Sequence, residues 1–169
     1  MNPGDILLFK ASDEDLIAKL IAWGTESEYS HVAVCVSSGM ALSIESMAWK
    51  GVRAIDIRKI KQQYDVYMVK EGNTYNLDGM VSFLVDKLGS GYDYLGVIWL
   101  GILKLFVKFG AVKKETTDRF QIARDYFCSE LCYEAFYKGG GLDIVPQVDS
   151  SDVTSPGDIA ESPVIEKVL

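Results

Sequence analysis

The sequence predicts an α+β fold in which one antiparallel sheet, open or closed into a small barrel, packs against helices. Strand-like runs dominate from Ile6 to Val69 and helix-like spacing follows from Leu77, a segregation typical of that class. With 49% hydrophobic and 11% aromatic residues, the 169-residue chain can fill a core as one domain spanning 1–169. Turn clusters (Pro3-Gly4-Asp5, Ser37-Ser38-Gly39, Gly139-Gly140-Gly141) punctuate the pattern at the expected boundaries.

The elements follow in order. Ile6-Leu7-Leu8-Phe9 reads as a buried strand behind its turn. Ser12 to Glu14 offer an N-cap and an acidic first turn, and Leu16, Ile17, Leu20 and Ile21 continue at helical spacing to a stop near Gly24. Strands are expected at His31–Val36, Ala41–Ser46, Val52–Ile57 and Tyr64–Val69. Helices are expected at Leu77–Leu88, Tyr92–Phe109 and Cys128–Lys138, the last stopped by three glycines. The core thus runs from about residue 4 to 138, and residues 142–169, rich in Ser, Asp and Pro, read as an irregular wrap. The tetrapeptide Pro-Gly-Asp-Ile, at residue 3 and again at 156, is too short for a repeat and reads twice as a turn entering an extended segment.

The first hairpin sets the chemistry. In His31–Val36 the valines 32, 34 and 36 take one face, and His31, Ala33 and Cys35 the other. A three-residue loop, Ser37-Ser38-Gly39, with glycine last in a left-handed conformation, pairs Val36 with Met40 and sets His31 directly opposite Glu45. Directly opposed Cβ atoms lie about 4.5–5.5 Å apart. A two-residue loop would move Glu45 to the other face. A surface His–Glu pair without a catalytic role satisfies the same pattern.

Charge narrows the partners. A net charge of −7 and a pI near 4.7 argue against nucleic acid, whose phosphates need a basic footprint, and against electrostatic docking on anionic lipid. The uncharged run from Tyr94 to Leu103, ended by Lys104, is too short for a spanning helix of about 20 residues. No transmembrane segment is expected; that run suits a buried helix or an apolar substrate wall. No signal peptide is visible before Pro3, which makes the cytoplasm the default compartment while leaving localisation unread. Three cysteines (Cys35, Cys128, Cys132) are too few and too odd in number for a disulfide scaffold.

Cys128 opens a helix, where the partial positive charge of the helix start favours thiolate and backbone N–H groups can receive an oxyanion. A thiol beside an imidazole is the minimum for nucleophilic acyl chemistry, and a third group must fix the imidazole tautomer. The chain has one histidine, His31, and Glu45 lies across from it. Cys132, a turn deeper, and Cys35, within a valine strand, read as small core residues. Tyr126, Ser129 and Tyr94 are weaker candidates for substrate or oxyanion contacts, with Tyr126 better suited to packing. A zinc site made from His31 and the cysteines fails on spacing, because strand residues four apart are about 13 Å apart. The residue set requires no metal and no cofactor.

Gly4-Asp5-Ile6-Leu7-Leu8-Phe9, Ser30-His31-Val32-Ala33-Val34 and Phe127-Cys128-Ser129-Glu130-Leu131-Cys132 together resemble the permuted NlpC/P60 group of papain-like enzymes, and within it the YiiX-like branch. The likeness covers residues 4 to about 138, with the Cys-Ser-Glu-Leu block its most specific part. It implies a circularly permuted papain-like fold, histidine strand first and cysteine helix last, with a Cys–His–polar triad on Cys128, His31 and Glu45. It further implies a cysteine peptidase or amidase acting through a thioester on a peptide or peptidoglycan fragment. Two alternatives stay open: a lipid-directed acyltransferase or thioesterase on an acyl-lipid substrate, and a non-catalytic binding module. Oligomeric state is not encoded in any of these features.

Overall fold

In a computed structural model the described residues are 1–11, 27–92, 126–148 and 154–169. The expected helix at 12–24, and that at 92–109 beyond its first residue, Tyr94 included, lie outside these residues.

The strands are β1 (Ile6–Lys10), β2 (Tyr29–Ser37), β3 (Leu42–Met47), β4 (Gly51–Asp56), β5 (Tyr64–Val69) and β6 (Ile165–Lys167). They form one open sheet in the order β4-β3-β2-β1-β5-β6, and every ladder is antiparallel. Helix α1 (Leu77–Asp86) starts at Asn76, whose side chain accepts the Gly79 N–H. Helix α2 (Cys128–Glu134) opens into π-type winding over Ala135–Gly139 and stops at the glycine run. Gly79 and Gly139 let α1 and the end of α2 approach backbone to backbone, since a Cβ at residue 79 would sit 2.3 Å from the Gly139 carbonyl oxygen.

Alternation assigns the two sheet faces. Ile6, Leu8, Val32, Val34 and Ile44 share a core with Leu131, Cys132 and Phe136 of the α2 segment. Leu7, Phe9, Ala33, Cys35, Ile55 and Ile57 make a second cluster on the opposite face. Each fully buried aliphatic side chain of this kind is worth about 1.5–3 kcal/mol, so two-sided burial makes β1 and β2 the fixed frame of the sheet. Cys35 and Cys132 are buried within these clusters, and burial pushes both thiols up from their ordinary value.

Two expectations need correction. The tail is not irregular throughout: α3 (Pro156–Ala160) and β6 lie within it, and β6 extends the sheet along β5. The second Pro-Gly-Asp-Ile is therefore helical. Both copies use the aspartate alike, Asp5 accepting the Asn2 N–H and Asp158 accepting the Ser155 N–H. The outcomes part because Gly4 adopts φ +92 and donates to the Cys35 carbonyl, sending the chain into β1. Ser155 instead closes a capping box that starts a helix.

The hairpin register differs too. Ala33, not His31, lies opposite Glu45, and Val34 opposes Ile44. The ladder shifts between Cys35 and Ser37, and Ala41 takes the left-handed conformation (φ +51) expected of Gly39. A slide of two residues leaves each side chain on its face, so alternation cannot distinguish the registers; the turn decides.

Candidate active site

Glu45 sits on β3 between two cationic neighbours. The small Ala33 side chain opposite it leaves room for the carboxylate to reach diagonally, and Glu45 Oε2 meets His31 Nε2 at 2.8 Å. On the other side Arg53 of β4 is its direct cross-strand partner. Arg53 donates to Glu45 Oε1 from Nε at 2.9 Å and from Nη2 at 2.7 Å, and its Nη2 also lies 3.2 Å from the Met47 sulfur. Glu45 is only 2% exposed, so both partners act in a desolvated setting. Burial pulls its acid strength the other way, yet the hydrogen bonds and charges of His31 and Arg53 outweigh it and hold Glu45 below the usual carboxylate range.

The His31 ring packs on Phe9 with centroids 5.4 Å apart. Burial disfavours its charged form, but the charge of Cys128 and a hydrogen bond with Cys128 outweigh that, joined by Glu45, and carry the ring up to about 10. The three residues expected from sequence are thus brought together: the thiol of Cys128, the ring of His31 and the carboxylate of Glu45 form one chain of contacts.

The helix that Cys128 opens is fixed by buried groups. Ser46, adjacent to Glu45 on β3 and facing the other way, donates its hydroxyl to the Tyr126 carbonyl. The Tyr126 N–H donates to Gly91 O at 3.2 Å. One strand therefore orients the histidine with one residue and anchors the segment before the cysteine with the next. Phe127 has no side-chain acceptor, so only the reciprocal half of a capping box forms, with Glu130 Oε2 accepting the Phe127 N–H at 3.3 Å. Ser129 departs from its expected role: its hydroxyl donates to the Thr154 carbonyl at 2.8 Å, tying α2 to the tail and leaving that hydrogen unavailable to an oxyanion. Tyr126 is buried, with the Lys87 ammonium 5.4 Å from its ring centre.

The fold has a solved counterpart. It is similar to YiiX. That protein, described as a metalloprotein from Escherichia coli O157:H7 with the designation DUF1105, aligns over 99% of this chain and 96% of its own at a TM-score of 0.64 and 18% identity. By sequence the chain matches no protein-family model and no curated protein. Among the described residues no three His, Cys, Asp or Glu side chains gather as a metal site, and no helix is long and apolar enough to cross a membrane.

Arg53 and Ser46 are the site residues that sequence reasoning missed. The signal for Arg53 was present: β4 was expected, and the turn through Trp49 (φ +66) and Gly51 (φ +66) makes residue 53 the partner of 45. Ser46 carried no comparable signal, because its partner is a backbone carbonyl 80 residues away.

Proposed function

We propose that the protein is a cysteine hydrolase of the permuted papain-like type, in the YiiX-like branch of the NlpC/P60 group, that cleaves an amide bond. The observation that carries this reading is the His31 ring held between the Glu45 carboxylate and the Cys128 sulfur. Because Glu45 occupies Nε2, Nδ1 is the nitrogen left for the thiol proton. That proton passes from Cys128 to His31 as the sulfur attacks the carbonyl carbon of the scissile amide. The tetrahedral species collapses to a thioester when His31 returns the proton to the leaving amine. Water, deprotonated by His31, then hydrolyses the thioester and restores the thiol, giving one acid and one amine for each water consumed. Glu45 holds the tautomer and offsets the imidazolium charge throughout.

The metalloprotein description of YiiX prompts one comparison. Here the donors do not suit a cation, because Glu45 already carries the Arg53 guanidinium and His31 Nε2 is committed to Glu45.

The decisive experiment labels the protein with a small thiol-directed electrophile at neutral pH and maps the adduct by mass spectrometry. Cys128 is itself buried (5% exposed) but lies against His31, so it should react ahead of the likewise buried Cys35 and Cys132, and Cys128→Ala should lose the rapid adduct. Equal labelling of the variant would reject the nucleophile. Peptide, muropeptide and acyl-lipid substrates incubated with wild type and Cys128→Ala then separate the hydrolase from the acyltransferase reading: release of free amine supports the first, and transfer of an acyl chain supports the second.

A further inference from the structure

Arg53 lies outside the contacts that define the nucleophile and its base, yet its placement is not that of a surface ion pair. It is the direct cross-strand neighbour of Glu45, and both of its hydrogen bonds to that carboxylate go to one oxygen, Oε1, leaving Oε2 for His31. The carboxylate beneath it is buried while the Arg53 side chain is 36% exposed, so the guanidinium covers Glu45 from the solvent side. A carboxylate with one partner can swing about its terminal torsion; two partners on separate oxygens hold its plane. Among the described residues the charged groups facing Glu45 are His31 from β2 and Arg53 from β4, with Cys128 of α2 reaching it through the ring.

Resting on the hydrolase reading above, we infer that Arg53 is a positioning residue of this site, a two-pronged clamp that fixes Glu45 with Oε2 toward His31 and keeps it ionised in acid. Arg53 touches neither sulfur nor substrate in this role and acts only through the carboxylate. Lysine supplies the charge but a single point of contact, so charge and geometry separate in the substitutions Arg53→Met and Arg53→Lys.

The test needs no identified substrate. The rate of Cys128 alkylation by iodoacetamide is followed across pH in wild type, Arg53→Met, Arg53→Lys and His31→Ala, with folding checked by circular dichroism. Arg53→Met should slow alkylation at neutral pH by about 10- to 100-fold, the scale of a misplaced catalytic group, and move the acid limb to higher pH as Glu45 gains protons more readily. Arg53→Lys should restore the acid limb and leave the neutral rate several-fold low. A folded Arg53→Lys or Arg53→Met with the wild-type rate and limb would overturn the clamp. If Arg53→Met does not fold, the lysine variant alone decides. His31→Ala separates the two levels: a wild-type rate there defeats the hydrolase reading itself, whereas a slowed His31→Ala beside unaffected Arg53 variants defeats only the clamp.

Discussion

Among the described residues two buried carboxylates sit on this sheet, and only one meets an imidazole. Glu45 on β3 meets His31 and Arg53; Asp65 on β5 accepts the Tyr29 hydroxyl, meets Lys167 Nζ at 2.7 Å and faces Lys10 Nζ at 3.7 Å. Burial raises both, and in both the partners prevail, so each carboxyl titrates below its ordinary range. Burial and a shifted carboxylate therefore do not identify a site. What differs is the partner. Lysines and a tyrosine pushed further up by burial only hold Asp65 in place, while His31, itself carried up to about 10, joins Glu45 to the Cys128 thiol. Asp65 is a clasp, holding the C-terminal strand through Lys167, and Glu45 is a lever on an acid–base group.

The sharpest way to break this contrast is to neutralise each carboxylate without changing its shape. Glu45→Gln should cut Cys128-dependent turnover by about 10²–10⁴, because a glutamine amide can present the wrong partner to the imidazole and offers no charge to the imidazolium. Asp65→Asn should leave turnover within about twofold. Comparable losses in both variants, measured on the same amide probe, would erase the distinction between lever and clasp.

The base side of the pH profile comes next. In the proposed mechanism His31 hands a proton to the leaving group, so activity should fall as pH rises through about 10. The chain's single histidine gives one imidazole signal to follow by NMR. In Cys128→Ala the largest support for the charged ring is gone while burial still opposes it, and the midpoint should drop well below the wild-type value. An unchanged midpoint would mean that Glu45 alone sets it.

Stability responds in the opposite order. Asp65→Asn removes a buried acceptor of charge-assisted hydrogen bonds and should cost about 1–3 kcal/mol. Since one kcal/mol moves Tm by about 2–4 °C at this size, calorimetry should register a fall of roughly 3–10 °C. The sign with pH follows from the depressed Asp65: its contribution is present above about pH 4, the ordinary aspartate value, and is lost as pH falls through the lower folded value. Asp65→Asn should accordingly flatten the acid side of the stability profile.

The same contrast explains what the sequence disclosed. Alternation put His31 and Glu45 on one face, and helix-start chemistry singled out Cys128, because both depend on local periods that the residues carry themselves. The Tyr64–Val69 strand was legible residue for residue. The Asp65 clasp was not: Tyr29, Asp65 and Lys167 belong to three strands whose order is set by burial on both faces of β1, and no local pattern announces that β6 closes against β5. The hairpin slide escaped because it turns on which loop residue takes the left-handed conformation, and the role of Ser129 because its acceptor is a backbone carbonyl brought from the tail.

The smallest effect separates the two ends of the clasp. Lys167 is half exposed, so its ammonium can turn to water when Asp65 is lost, and an exposed ion pair contributes only about 0.2–1 kcal/mol. Lys167→Met should therefore lower Tm by less than about 3 °C. Its effect should instead be local. The Val168 N–H bonded to Val66 O and the Val66 N–H bonded to Leu169 O close the tail onto β5, and their exchange with deuterium should accelerate when the lysine anchor goes. Protected amides in β1 and β2, buried on both faces, should exchange as in wild type. If the β5–β6 amides kept their protection in Lys167→Met, the Asp65–Tyr29–Tyr67 hydrogen bonds would be a polar core feature independent of the tail, and Asp65 would lose its role as a clasp while Glu45 kept its own.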